Sequence, residues 1–201
     1  MKIPNAEHES RPWRIREITA DFILEDVWTL PTSGGPEDFE TLIELGTSFD
    51  PAKTRSLPTR ALWSARDLLG KWLGLGRISA PAQGGKNEGV LAKRLPDDLR
   101  GSADDVRFNS LPFAPLYRTD DEFAAELSNA TMDGVMHLAW VDRGEGRYEG
   151  QMAVYVKPHG LFGKGYMALI KPFRYWIVYP ALTREIEAAW RRRLSRQPLK
   201  R

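Results

Sequence analysis

Between Leu116 and Ile170 one strand signal follows another, and that run limits the fold more than any other part of the chain. Leu116–Arg118, Glu122–Asn129, Gly134–Val141, Tyr148–Lys157 and Lys164–Ile170 mix β-branched and aromatic residues and lie mostly hairpin-sized gaps apart. DRGEGR before Tyr148 and PHGLFGKG before Tyr166 carry the glycines that tight turns demand, so both predict hairpins. Short strands joined by short turns make an antiparallel meander, in which one face can be dry and the other wet. In GQMAVYVK the alternation sends Met152, Val154 and Val156 one way and Gln151, Ala153 and Tyr155 the other.

The stretch GYMALIKPFRYWIVYPALTREIEAAWRRRL, Gly165 to Leu194, then reads as a long carboxy-terminal helix opening at Pro172. A first helical turn tolerates proline because the missing N–H would be unpaired there. Phe173, Trp176, Ile177, Ala181, Ile186, Ala189, Trp190 and Leu194 recur at three- and four-residue steps and form one broad apolar face. Pro180 predicts a kink or break near Tyr179, with a second, longer segment reaching about Arg196.

Upstream, residues 1–12 are polar and predicted to be flexible, with His8 among them. A first strand lies within Phe22–Leu30 and ends at PTSGGP. Pro36 opens a helix holding Phe39, Leu42 and Ile43, which Gly46 stops. A second helix from Pro58 carries the stripe Ala61, Leu62, Ala65, Leu68, Leu69, Trp72 and Leu73 up to Gly74 and Gly76. Residues 79–101, rich in Gly, Pro, Lys and Asp, predict a long, mobile surface connection; whether it is a lid stays open. Strand, two helices, antiparallel strands and a terminal helix is the order of the α+β helix-grip fold, a curved sheet wrapped around its last helix with a cavity between them. One such domain over 13–196, followed by a basic tail at 197–201, accounts for the chain of 201 residues.

With no cysteine, disulfides, thiolate metal sites and thiol nucleophiles are excluded, and a reducing cytoplasm is the expected setting. The amino terminus lacks the apolar core of a signal peptide, and no run approaches the roughly 18 apolar residues of a membrane span. The net charge of +2 divides unevenly, because residues 184–201 hold seven Arg or Lys against Glu185 and Glu187, for +5, leaving −3 for the first 183 residues. A cationic helix end complements the helix dipole, and no aromatic residues interleave with the arginines as a stacking platform for nucleic acid would require. Specific nucleic-acid binding is therefore not expected.

The candidate chemistry is sparse. His8, His137 and His159 have neither i, i+4 pairing nor an HExxH-like setting, so neither a metal nor another cofactor is expected. His137 shares a strand face with Val135 and Ala139; it is either a general base or polar anchor in a cavity or a satisfied histidine on the outer face. Glu122, Glu126, Asp133 and Asp142 read as solvated strand-end or turn residues. The aromatic residues Trp63, Trp72, Trp140, Tyr155, Tyr166, Phe173 and Trp176 are expected to line the cavity or, equally, only to fill the core.

GLFGKGYMALIKPFRYWIVYPAL resembles the end of the uncharacterised bacterial family called domain of unknown function 2867, itself similar to the START, or Bet v 1-like (SRPBCC), superfamily of helix-grip ligand binders. PWRIREITADFILEDVWTLPTSGGPEDF and RALWSARDLLGKWLGL resemble the same family, so the likeness covers most of the chain. It implies a fold and a cavity, and no catalytic residues to carry over. The expected function is binding of a small hydrophobic ligand between sheet and terminal helix. The alternatives are a cyclase-, dehydratase- or hydrolase-type enzyme using that cavity with His137, or a partner-binding structural module.

Overall fold

The computed structural model describes residues 1–50, 89–129, 131–161 and 179–194 together with Gly163, Gly165, Lys171 and Tyr175. Its elements are β1 (Lys2–Ile3), α1 (Asn5–Glu9), β2 (Ile23–Gly34), α2 (Phe39–Ser48), β3 (Ala114–Arg118), β4 (Glu122–Ser128), β5 (Met132–Asp142), β6 (Tyr148–Pro158) and α3 (Tyr179–Leu194). The strands form a six-stranded sheet in the order β1-β2-β6-β5-β4-β3, and every neighbouring pair is antiparallel. The fold is α+β. β3 to β6 are the meander read from the sequence, while β2 crosses to the far side and pairs with β6.

The tight link between β5 and β6 closes on Asp142 opposite Tyr148. Gly144 and Gly146 take φ of 88° and 70°, a conformation in which a side chain would strain the backbone. At Gly150 in β6 the constraint is close approach: an added Cβ would sit 2.4 Å from Thr32 Oγ1 and 2.8 Å from a Leu42 methyl. Any larger residue there would push α2 off the sheet.

β2 runs past the expected end at Leu30 and carries Pro31 through to Gly34. Proline survives because the β2–β6 register slips between Thr29 and Ser33, where the ladder does not need its missing N–H. α2 likewise continues through Gly46 to Ser48, since Leu42 and Ile43 are buried and their packing outweighs the roughly 1 kcal/mol helical cost of glycine. PHGLFGKG is not a hairpin: Gly160, Leu161, Gly163 and Gly165 are helical, and the Gly163 N–H donates to the His159 carbonyl at 3.1 Å. The expected helix from Pro58, residues 79–88, most of the strand Lys164–Ile170, the helical start at Pro172 and the tail 197–201 lie outside the described residues.

Both faces of the sheet are dry, which corrects the one-sided meander. On the first face Val27, Ala124, Val135, Ala139 and Ala153 are covered by the amino-terminal segment and by Leu91, Leu95 and Leu99. Residues 1–12 are accordingly no flexible tail: Lys2 and Ile3 pair with Trp28 and Val27, and His8 in α1 is wholly buried. The part of the connection at 89–101 is held rather than loose, with Arg14 ion-paired to Asp98 and Arg94 to Asp21. Small apolar residues at strand-like intervals attract such a cover because burying them removes apolar surface from water at about 25 cal/mol per Å².

The second face holds Leu30, Phe123, Ala125, Leu138, Trp140 and Met152, and is covered by α2 and α3. α3 lies along β2. Tyr179 donates its hydroxyl to Asp26 at 2.9 Å near one end, and Trp190 donates its indole N–H to the Ser33 carbonyl at 3.1 Å near the other. The Trp190 ring meets Trp140 with centroids 5.8 Å apart. Arg193 pairs with Glu44 and joins α3 to α2. Among the described residues no helix is long and apolar enough to cross a membrane.

Trp190 is 3% exposed, so Trp190→Ala should lose about 3–5 kcal/mol through lost burial and the cavity left behind. Denaturant melts measure it. A loss below about 1 kcal/mol would make α3 peripheral to the core.

Candidate functional site

The alternation of the central strands makes two different surfaces from one sheet. Met136 and Leu138 of β5 and Met152 and Val154 of β6 project toward α2 and α3, and between them lies a cavity of about 280 Å³. α2 contributes Leu42 and Leu45, α3 contributes Leu182 and Ile186, and Phe49 and Phe113 complete much of the wall.

One polar assembly stands at the edge of this cavity. Asp26, 1% exposed, accepts hydrogen bonds from the Tyr179 hydroxyl at 2.9 Å, the Tyr175 hydroxyl at 3.2 Å and the Trp28 indole at 3.2 Å. The three rings pack together, Trp28 and Tyr179 with centroids 4.5 Å apart, and the Lys2 ammonium lies 4.5 Å over the Tyr175 ring. A buried carboxylate is tolerated when it is hydrogen-bonded in this way. Tyr179, which lines the cavity, thus spends its hydroxyl on Asp26. Nothing in DFILEDVWTL sets Asp26 apart from the other polar positions of the strand, so the sequence carries no signal for it.

Of the aromatic residues expected at the cavity, Trp140 is on the correct face but beside the hollow. It packs with Phe39, Tyr148 and Trp190 and donates its indole N–H to the Gly35 carbonyl at 2.9 Å. Tyr155 is on the opposite face, as the alternation with Met152 and Val154 requires, and lies in the cluster under the amino-terminal segment. It does not line the cavity. Trp63, Trp72, Tyr166, Phe173 and Trp176 lie outside the described residues.

His137 also faces away from the cavity, with Val135 and Ala139, and is wholly buried. Its Nε2 meets Glu122 Oε2 at 2.9 Å. The same carboxylate accepts from the Tyr117 hydroxyl at 2.8 Å and from the backbone N–H groups of Arg14 at 2.8 Å and Ile15 at 3.3 Å. Glu122 is therefore no solvated strand end, and neither are Glu126 and Asp133, 4% and 8% exposed. Burial alone would raise the Glu122 carboxyl, but the bonds from His137, Arg14 and Tyr117 hold it below its ordinary value. Burial first, and then the Glu122 charge, push the Tyr117 phenol well above its ordinary range. Glu126, bonded to the Leu91 N–H at 3.1 Å, is raised by burial. Asp133 is reached by His159 at 3.0 Å. Among the described residues no three His, Asp or Glu side chains gather as a metal site.

His8 rests on this cluster, its Nδ1 3.3 Å from Gln151 Oε1 and its ring 5.2 Å from that of His137. Burial, and after it His137, lowers its pKa from 6.5 to about 3. A base harder to protonate when folded than unfolded weakens the fold as pH drops below 6.5, and the loss continues until about 3. The limiting slope is about 1.4 kcal/mol per pH unit, so His8 alone should remove about 2 kcal/mol between pH 7 and pH 5. Arg16, Tyr155 and Glu122 surround it and enter the balance, but the carboxylate contributes its own loss only below its ordinary range. Denaturant melts at the two pH values should show that difference in the parent and largely lose it in His8→Phe; equal slopes would refute the burial effect.

No curated protein and no solved structure matches the chain. A family model does, over residues 18–181, which takes in β2 to β6, α2 and the start of α3. The elements that build the cavity and the buried carboxylates therefore fall almost wholly within the matched span, and the chain belongs to the family described as protein of unknown function (DUF2867).

Proposed function

We propose that this protein binds a small hydrophobic molecule in the cavity between the sheet and α2 and α3. The observation that carries the proposal is the wall: Leu, Met, Val, Ile and Phe side chains dominate it, and its tyrosine hydroxyl is engaged by Asp26. A cavity of about 150 Å³ lined in this manner holds benzene, so 280 Å³ suits an apolar molecule about twice that size. Selection would come from shape and from the absence of water, with little hydrogen bonding to reward a polar ligand.

The strand order supports placing the fold with the helix-grip, START-like proteins. In such a fold the first long strand pairs with the last, and the terminal helix lies across the sheet; β2 pairs with β6 here, and α3 lies on β2. Among the described residues the cavity wall carries no carboxylate, imidazole or amine, which favours carriage over catalysis. The His137 that an enzyme of this kind would use faces the other side of the sheet. The basic carboxy-terminal end is read as a solvated helix terminus, not as a nucleic-acid surface.

Native mass spectrometry of freshly purified protein, followed by titration with apolar molecules of graded size, tests the proposal. Met136 is half-buried and lines the cavity, so Met136→Trp should fill it and weaken binding at least ten-fold, about 1.4 kcal/mol, with little change in the unfolding midpoint. A chain that stays empty across the panel, or a variant that binds like the parent, would remove the cavity from the function.

A further inference from the structure

The lining of the apolar cavity follows the direction of the strands. On β5 Met132, Gly134, Met136 and Leu138, every second residue, line it, and on β6 the same alternation runs from Met152 to Val156. β4 adds only Leu127, opposite Gly134 at one end, and β2 adds only Leu30, which lies against Gly150 toward the other. Two strands about 4.8 Å apart therefore carry nearly the whole floor. At about 3.3 Å per residue the lined stretches span about 13 Å on β6 and about 20 Å on β5.

A volume of about 280 Å³ spread over such a length has a mean cross-section of roughly 14–22 Å². A methylene group takes nearly the volume of a water in the liquid, roughly 30 Å³, and advances an extended chain by about 1.3 Å, which gives a polymethylene chain a cross-section of about 20 Å². By volume the cavity holds about nine or ten such groups, and their extended length of about 12–13 Å matches the span on β6. Volume and length agree on one shape.

We infer that the ligand of this cavity is an unbranched alkyl chain of about ten carbons, the tail of an alcohol, acid or ester, lying along β5 and β6. The inference rests on the reading of the cavity as a ligand site and names the class of ligand. A cage or fused-ring skeleton with the same carbon number is shorter and broader, so it would crowd the middle of the cavity and leave its ends empty. Met132, Met136 and Met152, three of the five methionines in the chain, suit a straight tail because their unbranched side chains adjust to it along its length. The tail also has a direction. Beyond Leu138, on the same face of β5, stands Trp140, 2% exposed and packed against Phe39 and Trp190, so aromatic rings shut that end. The terminal methyl therefore lies toward Leu138 and Met152, and the polar end toward Met132 and Val156.

Calorimetric titration of the full chain with straight-chain alcohols from 1-hexanol to 1-dodecanol tests the length. Each methylene up to decanol should tighten binding about four-fold, and dodecanol should bind no better than decanol. 1-Adamantanol, a cage with decanol's carbon number and single hydroxyl, tests the shape. Scaled by each alcohol's own octanol–water partition, it should bind at least about ten-fold more weakly than decanol. Nuclear Overhauser contacts from ¹³C-labelled Met and Leu methyl groups should place decanol's terminal methyl beside Leu138 and its carbinol protons beside Met132. Equal scaled affinities for cage and chain, a gain that continues undiminished through dodecanol, or a carbinol beside Leu138 would overturn the inference while leaving the cavity a ligand site. Binding of none of these alcohols would overturn both.

Discussion

The carboxylate of Glu122 is the group on which the two-sided burial of the sheet depends. It sits on β4 and accepts from Tyr117 of β3, His137 of β5 and the backbone of Arg14 and Ile15. Two of those donors, the N–H groups of Arg14 and Ile15, belong to a 3-10 turn that makes no strand pairing. Charge-assisted bonds of this kind are worth more than neutral ones, and they are worth most where water is excluded. Remove the carboxylate and the first backbone amides of the 3-10 turn at Arg14–Glu17, the phenol and the imidazole all lose a buried partner together. That is why one carboxylate can hold a cover over an otherwise apolar sheet, although its burial by itself is unfavourable.

The second face is held in a different manner. There the cover is α2 and α3, and the contacts are chiefly apolar, with Asp26 and its three aromatic donors as the one dense polar assembly among the described residues. Apolar packing is non-directional and tolerates a gap, whereas directional bonds converging on a buried carboxylate fix their donors closely. The hollow of about 280 Å³ accordingly lies on the side governed by packing, and the closely determined polar cluster lies on the side governed by Glu122.

The meander was legible because its signals are local: alternation along each strand and glycine in the link at Gly144 and Gly146. The pairing of β2 with β6 is not signalled by any local pattern in the sequence. The amino-terminal segment was misread since MKIPNAEHESRPWR is polar in composition, and its burial rests on contacts with residues more than a hundred positions away, such as Glu122, His137 and Gln151. Glu122, Glu126 and Asp133 were misread for the same reason. At a strand end a carboxylate is ordinarily solvated, and only the arrival of a distant cover makes it buried. PHGLFGKG shows the limit of glycine as a turn signal: spacing cannot tell a hairpin from a helical turn when the chain that follows has aromatic residues suited to either.

The strand period that divides the two faces also bears on chemistry. His137 is flanked by Met136 and Leu138, both at the cavity, so the imidazole and the apolar wall are separated by no more than the thickness of the sheet. A shift of β5 by one residue would exchange them, placing His137 in the hollow and Met136 against Glu122. The register prevents it from both sides at once, because His137 stands opposite Ala124 and Ala153 while Glu122 stands opposite Ala139. Those small alanines leave space on the first face for imidazole and carboxylate to meet at 2.9 Å. The same alanines that give the histidine its partner therefore keep it out of the cavity, and a sheet of this register carries the hollow on one side and is fastened on the other.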